Sequence, residues 1–195
     1  MRNGNLELLS NTTKGDSEKV KDPLNDDWVR AACLSSKEPV LYGYYETKMQ
    51  AAKLDMTSSF WFHGKYSEID VVEQFGSPVK NPDMRMLMQS NTHYKAGTPD
   101  YAKTPVRWKM PSGSADEYHI FAVWWKDKNT VWFYHNNEKV NEVKTNDFLE
   151  PLYMIFDTEV MKEWSGLPSV ETLLDPARNT FYVDWVRGWK LVEKK

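Results

Sequence analysis

The 195-residue sequence has a single cysteine, Cys33. One thiol excludes an internal disulfide framework and a cysteine-based zinc site. There is no excess of positive charge: 25 Lys and Arg stand against 28 Asp and Glu, a formal net charge of −3. A chain so near neutrality has no electrostatic footprint for nucleic acid or for an acidic membrane surface. No apolar run approaches the roughly 18–20 residues that a membrane span needs. Residues 1–9 lack a basic stretch followed by an apolar one, so no secretory signal is read there. Helix signals are scarce as well. Ser169 is expected to cap one short helical turn at 170–174, ended by Asp175-Pro176.

Aromatic residues, by contrast, are abundant: nine Trp, ten Tyr and eight Phe. Surplus tryptophan fills a core or forms flat platforms, and sugar rings are ligands that stack on such platforms. Hydrophobic residues make up 41% of the chain and charged residues 27%, the balance of a globular domain. One domain over 1–195 is expected, long enough to bury a sizeable core.

The pattern reads as mostly β. A turn at Asn3-Gly4-Asn5 feeds a strand ending at Leu9, and residues 10–30 read as a solvated loop. Strands are expected at 41–50, 58–63, 67–75, 119–125, 130–135, 139–144, 152–157 and 180–192. Residues 76–117 carry five prolines and little periodicity apart from 84–90. They read as a long loop, and loops of that length in compact domains tend to be functional. Many short strands with polar turns predict an all-β sandwich or jelly roll of antiparallel sheets.

The segment Glu68-Ile69-Asp70-Val71-Val72-Glu73 carries the most chemistry. Side chains alternate along a strand, so Glu68 and Asp70 share one face and Ile69 the other. Glu73 lies an odd number of residues from Glu68, and a regular strand would drive it into the core. An unpaired buried carboxylate is costly there. A one-residue bulge at Val71-Val72 returns Glu73 to the face of Glu68 and Asp70. Two carboxyl groups across a sugar linkage, with a third between them to hold a proton, suit glycoside hydrolysis. The competing reading of three acids on a strand is a solvated outer face.

These residues resemble glycoside hydrolase family 16, whose signature is Glu-x-Asp-x-x-Glu on a bulged strand of a β-jelly-roll sandwich with a concave substrate cleft. The likeness extends along the chain, through Tyr42-Gly43-Tyr44-Tyr45-Glu46, Ser59-Phe60-Trp61-Phe62, the hairpin from His119 to Tyr134, and Phe181-Tyr182-Val183-Asp184-Trp185-Val186-Arg187. Within the family, Asp157-Thr158-Glu159, Trp164 and Leu167-Pro168-Ser169 are most similar to the agarase and porphyranase branch. Members carry a further N-terminal strand before Asn3-Gly4-Asn5-Leu6, and the sequence lacks it.

The resemblance implies a secreted or cell-surface bacterial retaining endo-hydrolase of a β-linked red-algal galactan, agarose or porphyran, working as a monomer on polysaccharide. Glu68 would be the nucleophile, Glu73 the acid/base, and Asp70 the group that tunes both. Trp61 would stack beside the cleaved bond, and His93 would face the cleft. Glu159 and Trp164 would edge it. Independently of the resemblance, Arg85 and Arg107 in the long loop are candidates to meet a sulfate through bidentate guanidinium contacts, the competing reading being a surface arginine. No cofactor would be required, and Asp184 is the candidate ligand for a structural calcium. His63, His119 and His135 have no ligand spacing and read as structural. Alternatives are a laminarinase-type β-1,3-glucanase or a carrageenase, and, outside enzymes, a carbohydrate-binding jelly roll without activity.

Overall fold

In the computed structural model, residues 4–15, 25–145, 148–190 and 192 are described. The strands in chain order are β1 (Leu6–Leu9), β2 (Asn11–Thr12), β3 (Val29–Arg30), β4 (Cys33–Ser35), β5 (Gly43–Gln50), β6 (Thr57–His63), β7 (Glu68–Phe75), β8 (Leu87–Tyr94), β9 (Ala102–Lys103), β10 (Val106–Lys109), β11 (His119–Asp127), β12 (Thr130–His135), β13 (Glu138–Lys144), β14 (Tyr153–Asp157) and β15 (Thr180–Trp189). A 3-10 turn spans Pro82–Met86, and α1 covers Val170–Leu174. Ser169 caps α1 as expected, its hydroxyl accepting from the Thr172 N–H.

Two antiparallel sheets make up the body. The back sheet has the order β1-β15-β5-β11-β12-β13. The cleft sheet has the order β10-β8-β7-β6-β14-β4, with β9 beside β8. Alternation along the strands sends one row of apolar side chains from each sheet into the space between them. Met49, Phe121, Val123, Trp125, Phe133 and Phe181 come from the back sheet and Phe60, Phe62, Ile69, Val72 and Phe156 from the cleft sheet, all buried in one cluster. Trp28 joins them, so only two of the nine tryptophans are fully in the core.

The structure corrects the expected loops. Within 10–30, β2 and β3 form a small two-stranded sheet, although part of that stretch (16–24) lies outside the described residues. Within 76–117, β8 runs on to Tyr94 as an interior strand of the cleft sheet beside β7, and β10 closes its edge. β4, also not expected, extends the other edge by pairing with β14. The final strand ends at Trp189, three residues short of the expected 192.

Phe60 ties the core to the bulged strand. It is fully buried, pairs with Val72 across β6 and β7, and stacks on Phe156 at 4.8 Å. We expect Phe60→Ala to lower unfolding free energy by about 3–5 kcal/mol, the usual cost of removing a buried Phe. Urea denaturation followed by tryptophan fluorescence measures this.

Candidate active site

The register of β7 against β6 is continuous except at one point. Phe60 faces Val72 and the next residue, Trp61, faces Asp70, so Val71 is the extra residue. The same irregularity separates Asp70 from Glu73 on the β8 side. Val71 and Val72 are both fully buried, and Glu68, Asp70 and Glu73 lie together on the face away from the core. The bulge thus falls where the spacing of the acids requires it.

Three rows of side chains cross this face, strand by strand. The first is Arg107, Gln89, Glu73, Ser59, Asp157 and Cys33. The second is Asn91, Asp70, Trp61, Ile155 and Ser35. The third is His93, Glu68, His63 and Tyr153. A cavity of about 190 Å³ opens over their centre, lined by Trp61, Glu68, Asp70, Glu73, Asp157 and Glu159 among others.

The start of β7 is anchored from outside the strand. The N–H groups of Lys65, Tyr66 and Ser67 all donate to the Glu150 carboxylate, at 3.0, 2.9 and 2.5 Å. Such charge-assisted bonds from three successive N–H groups fix the turn that delivers Glu68. A Cβ at Gly64 in that turn would come within 2.6 Å of Leu152 Cδ2 and 2.8 Å of Glu150 Cδ, so a side chain there would push on the carboxylate that anchors the turn.

His93 reaches over two of the acids. Its Nε2 lies 3.4 Å from Glu68 Oε1 and 3.3 Å from Asp70 Oδ2. Asn91 Nδ2 is 2.8 Å from the same nitrogen, and Tyr101 Oη is 2.6 Å from Nδ1. Tyr101 also stacks on the ring at 5.8 Å. Glu68, Asp70 and His93 offer three ligand atoms within 4.8 Å of one another, the one such grouping of potential metal donors among the described residues.

Burial and crowding of like charges hold these acids protonated to unusually high pH. Glu73 is pushed up to about 8, first by burial, then by the charges of Asp70, Glu68 and Glu159. Glu68 and Asp70 are both raised to about 7, in each case mainly by burial. The charge of Asp70 adds to the rise at Glu68, and His93 opposes it. Asp157 is raised to about 7, first by burial and then by the charge of Glu159, with the neighbouring Trp61 opposing the rise.

Trp61, His93 and Glu159 are thus brought together with the three carboxylates. Trp164 and Arg107 are not part of this cavity. They share a neighbouring one of about 340 Å³ with Asp83, Met84 and Leu87, although Arg107 stays on the cleft face, two strands from Glu73. Arg85 is drawn away by Asp116 at 3.1 Å and lines a separate cavity with Lys53 and Arg178. Asp184 is on the back sheet, with Lys48 Nζ 2.8 Å from its carboxylate. His119 and His135 are buried and 3.0 Å apart, as structural residues, whereas His63 comes within 3.9 Å of Glu68.

The sequence reading missed Asp157, Ser59, Asn91, Tyr101 and Glu150. A signal for Asp157 existed. With Phe156 in the core, alternation sends its neighbour to the face that carries the acids.

A two-sheet β sandwich with paired carboxylates at the floor of an open cleft is the arrangement of a polysaccharide hydrolase. Residues 1–191 match the family described as Beta-porphyranase A-D, GH16 domain, and the chain belongs to this family of glycoside hydrolases. It is 31% identical to beta-porphyranase B of Phocaeicola plebeius, covering 98% of this chain and 72% of that one. It is 29% identical to beta-porphyranase E of Zobellia galactanivorans, covering 98% and 73%. Among solved structures, a beta-porphyranase from the human gut bacterium Bacteroides plebeius matches with a TM-score of 0.77 and 27% identity over 97% of this chain and 76% of that one. Porphyranase B of Z. galactanivorans has the same jelly-roll fold, with a TM-score of 0.83 at 22% identity over 99% and 78% of the two chains. Enzymes of this family need no cofactor for catalysis.

The raised carboxyls make stability depend on pH. A group whose folded pKa exceeds its unfolded value stabilises fully below the unfolded value, and that contribution is lost as pH rises through the folded one. For Glu73 the window runs from its ordinary 4.5 up to about 8. Glu73→Gln keeps the shape and cannot ionise. We expect the variant and parent to melt together at about pH 5, and the variant to melt several degrees higher at about pH 9. Calorimetry at the two pH values measures the difference.

Proposed function

We propose that the protein is a secreted, retaining endo-hydrolase of a β-linked red-algal galactan of the porphyran or agarose type, acting as a single catalytic domain. The observation that carries this is the bulged strand, which sets Glu68, Asp70 and Glu73 side by side under Trp61. Family membership and relatives named as porphyranases and agarases support the galactan. They do not favour a glucanase. A binding protein without activity would have no use for the carboxyl pair.

Glu73 is the acid/base. A side chain held protonated to about pH 8 can donate to the leaving oxygen at neutral pH. Glu68 is the nucleophile and must be ionised. Asp70 is the more deeply buried of the two (6% side-chain exposure against 27%), and both carboxyls, raised to about 7, give up their protons around neutral pH. His93, close to both, favours the ionised Glu68. Glu68 then attacks the anomeric carbon as Glu73 protonates the departing oxygen, forming a glycosyl-enzyme. Glu73, now ionised, takes a proton from water, which releases the sugar from Glu68. Trp61, which lines the cavity with Asp157 and Glu159, offers a ring face for a sugar next to the reacting bond.

Release of reducing ends from porphyran, agarose, carrageenan and laminarin tests the substrate. The account expects turnover of porphyran or agarose, and turnover of laminarin alone would contradict it. Glu68→Gln and Glu73→Gln should each lose at least about 100-fold in kcat while still binding oligosaccharide in calorimetry.

The pH profile should also respond to His93. Its removal withdraws the influence that lowers the Glu68 pKa, so in His93→Gln the acid limb of kcat/KM moves to higher pH. The alkaline limb, set by Glu73 near 8, should move less. Initial rates across the pH range on a soluble galactan measure both limbs.

A further inference from the structure

The cleft uses one of the nine tryptophans, and two more fill the core. Four others, Trp124, Trp132, Trp185 and Trp189, lie on the back sheet, where they have no part in the reaction. Register lines up an aromatic row across that sheet: Trp189 faces Tyr44, Tyr44 faces Trp124, and Trp124 faces Trp132. Core residues Val123 and Trp125 flank Trp124 in β11, so this row projects from the opposite face. Four adjacent strands at about 4.8 Å spacing make the row about 14 Å long.

In the next row Ala122 stands between Glu46 and Tyr134. Its small side chain leaves a trough, a cavity of about 340 Å³ walled by Tyr44, Trp124, Tyr134, Trp189 and Lys190. Cross-strand ring contacts stabilise a sheet by themselves, and Trp124 against Trp132 at 5.2 Å is such a pair. That role does not call for an open trough, for Trp189 half exposed at 50%, or for the charges around it.

Those charges are mostly positive. Lys126 Nζ lies 4.9 Å from the Trp124 ring and 3.9 Å from that of Trp132. Lys139 lies 3.6 Å from Trp132, and Arg187 lies 4.1 Å from Trp185. Glu142 is shared by Lys139 and Lys144, and Glu46 faces Arg187 at 3.7 Å. Among the described residues, Lys126 and Lys190 have no carboxylate partner. The cleft is the reverse, with five acids around one small cavity.

We propose that the back-sheet trough is a second, non-catalytic binding surface for an anionic galactan chain, one that carries sulfate esters. Tyr44, Trp124, Tyr134 and Trp189, inclined to one another, wall the trough around a sugar, and the flanking lysines, two of which cover the Trp132 ring, match the sulfates. Charge complementarity selects this occupant over a neutral chain, and the acidic cleft cannot provide it. The inference rests on the galactan reading above. A second contact raises the local concentration of polymer at the cleft without adding any group to the chemistry.

The test is native gel electrophoresis through porphyran and through agarose, with the parent, Trp189→Ala, and the double variant Lys126→Glu, Lys190→Glu. Melting temperature and hydrolysis of a short galactan oligosaccharide are measured for each. The proposal expects the parent to be retarded in porphyran more than in agarose, less so as salt rises. Each variant should lose about five- to tenfold in apparent affinity for porphyran, with melting temperature and oligosaccharide hydrolysis unchanged. Equal retardation of parent and both variants overturns it. So does equal retardation of the parent in the two gels, or loss of a dimer in sedimentation as the only change in Trp189→Ala. If the parent hydrolyses no galactan yet is retarded through Trp189 and the two lysines, the catalytic reading fails and the binding surface stands.

Discussion

The site depends on where one residue, Val71, is put. With Val71 accommodated as the extra residue of β7, Val72 drops into the core against Phe60 and Glu73 turns out beside Asp70. Without it, the same strand would bury the Glu73 carboxyl among Phe60, Ile69 and Met88 and turn Val72 toward the cleft. The irregularity is held from both sides. Phe60 and Trp61 fix the β6 register, and on β8 the Ser90 hydroxyl donates to the Val71 carbonyl at 2.7 Å. That bond gives the bulge a partner for a backbone group that the ladder leaves free.

Bringing the acids together in this way costs stability at neutral pH. Glu68, Asp70, Glu73 and Asp157 all sit where burial and like charge disfavour ionisation. That same cost sets their roles. A common environment would give both glutamates one protonation state; here Glu73 keeps its proton to higher pH than Glu68, and His93 acts on the pair at Glu68 and Asp70 most closely. The difference between the two glutamates is an electrostatic property of depth and neighbours, imposed by the sheet.

Much of this is legible in the residues, and the gaps have physical causes. The odd spacing of Glu73 from Glu68 demands a bulge, and the hairpins of β11, β12 and β13 announce themselves through polar turns. β8 does not. Its cleft-facing residues, Gln89, Asn91 and His93, are polar because they meet substrate space. Two of its core-facing residues, Ser90 and Thr92, are polar as well, so Leu87–Tyr94 shows no apolar alternation. β4 is three exposed residues whose pairing depends wholly on β14. Arg85 and Arg107 look alike in the sequence, and only the register of β10 and the pairing with Asp116 send one to the cleft face and the other away. The aromatic row on the back sheet draws on four strands that are distant in the chain, which no local pattern reveals.

The central claim is that Glu68 and Glu73 share the work of a double displacement at one anomeric centre. Proton NMR of the first product released from porphyran or agarose, recorded before mutarotation, reads this directly. The account predicts that the new reducing end appears first as the β anomer, the configuration of the bond cut. Initial appearance of the α anomer would mean that water attacks in a single step, and the assignment of Glu68 as nucleophile would be wrong.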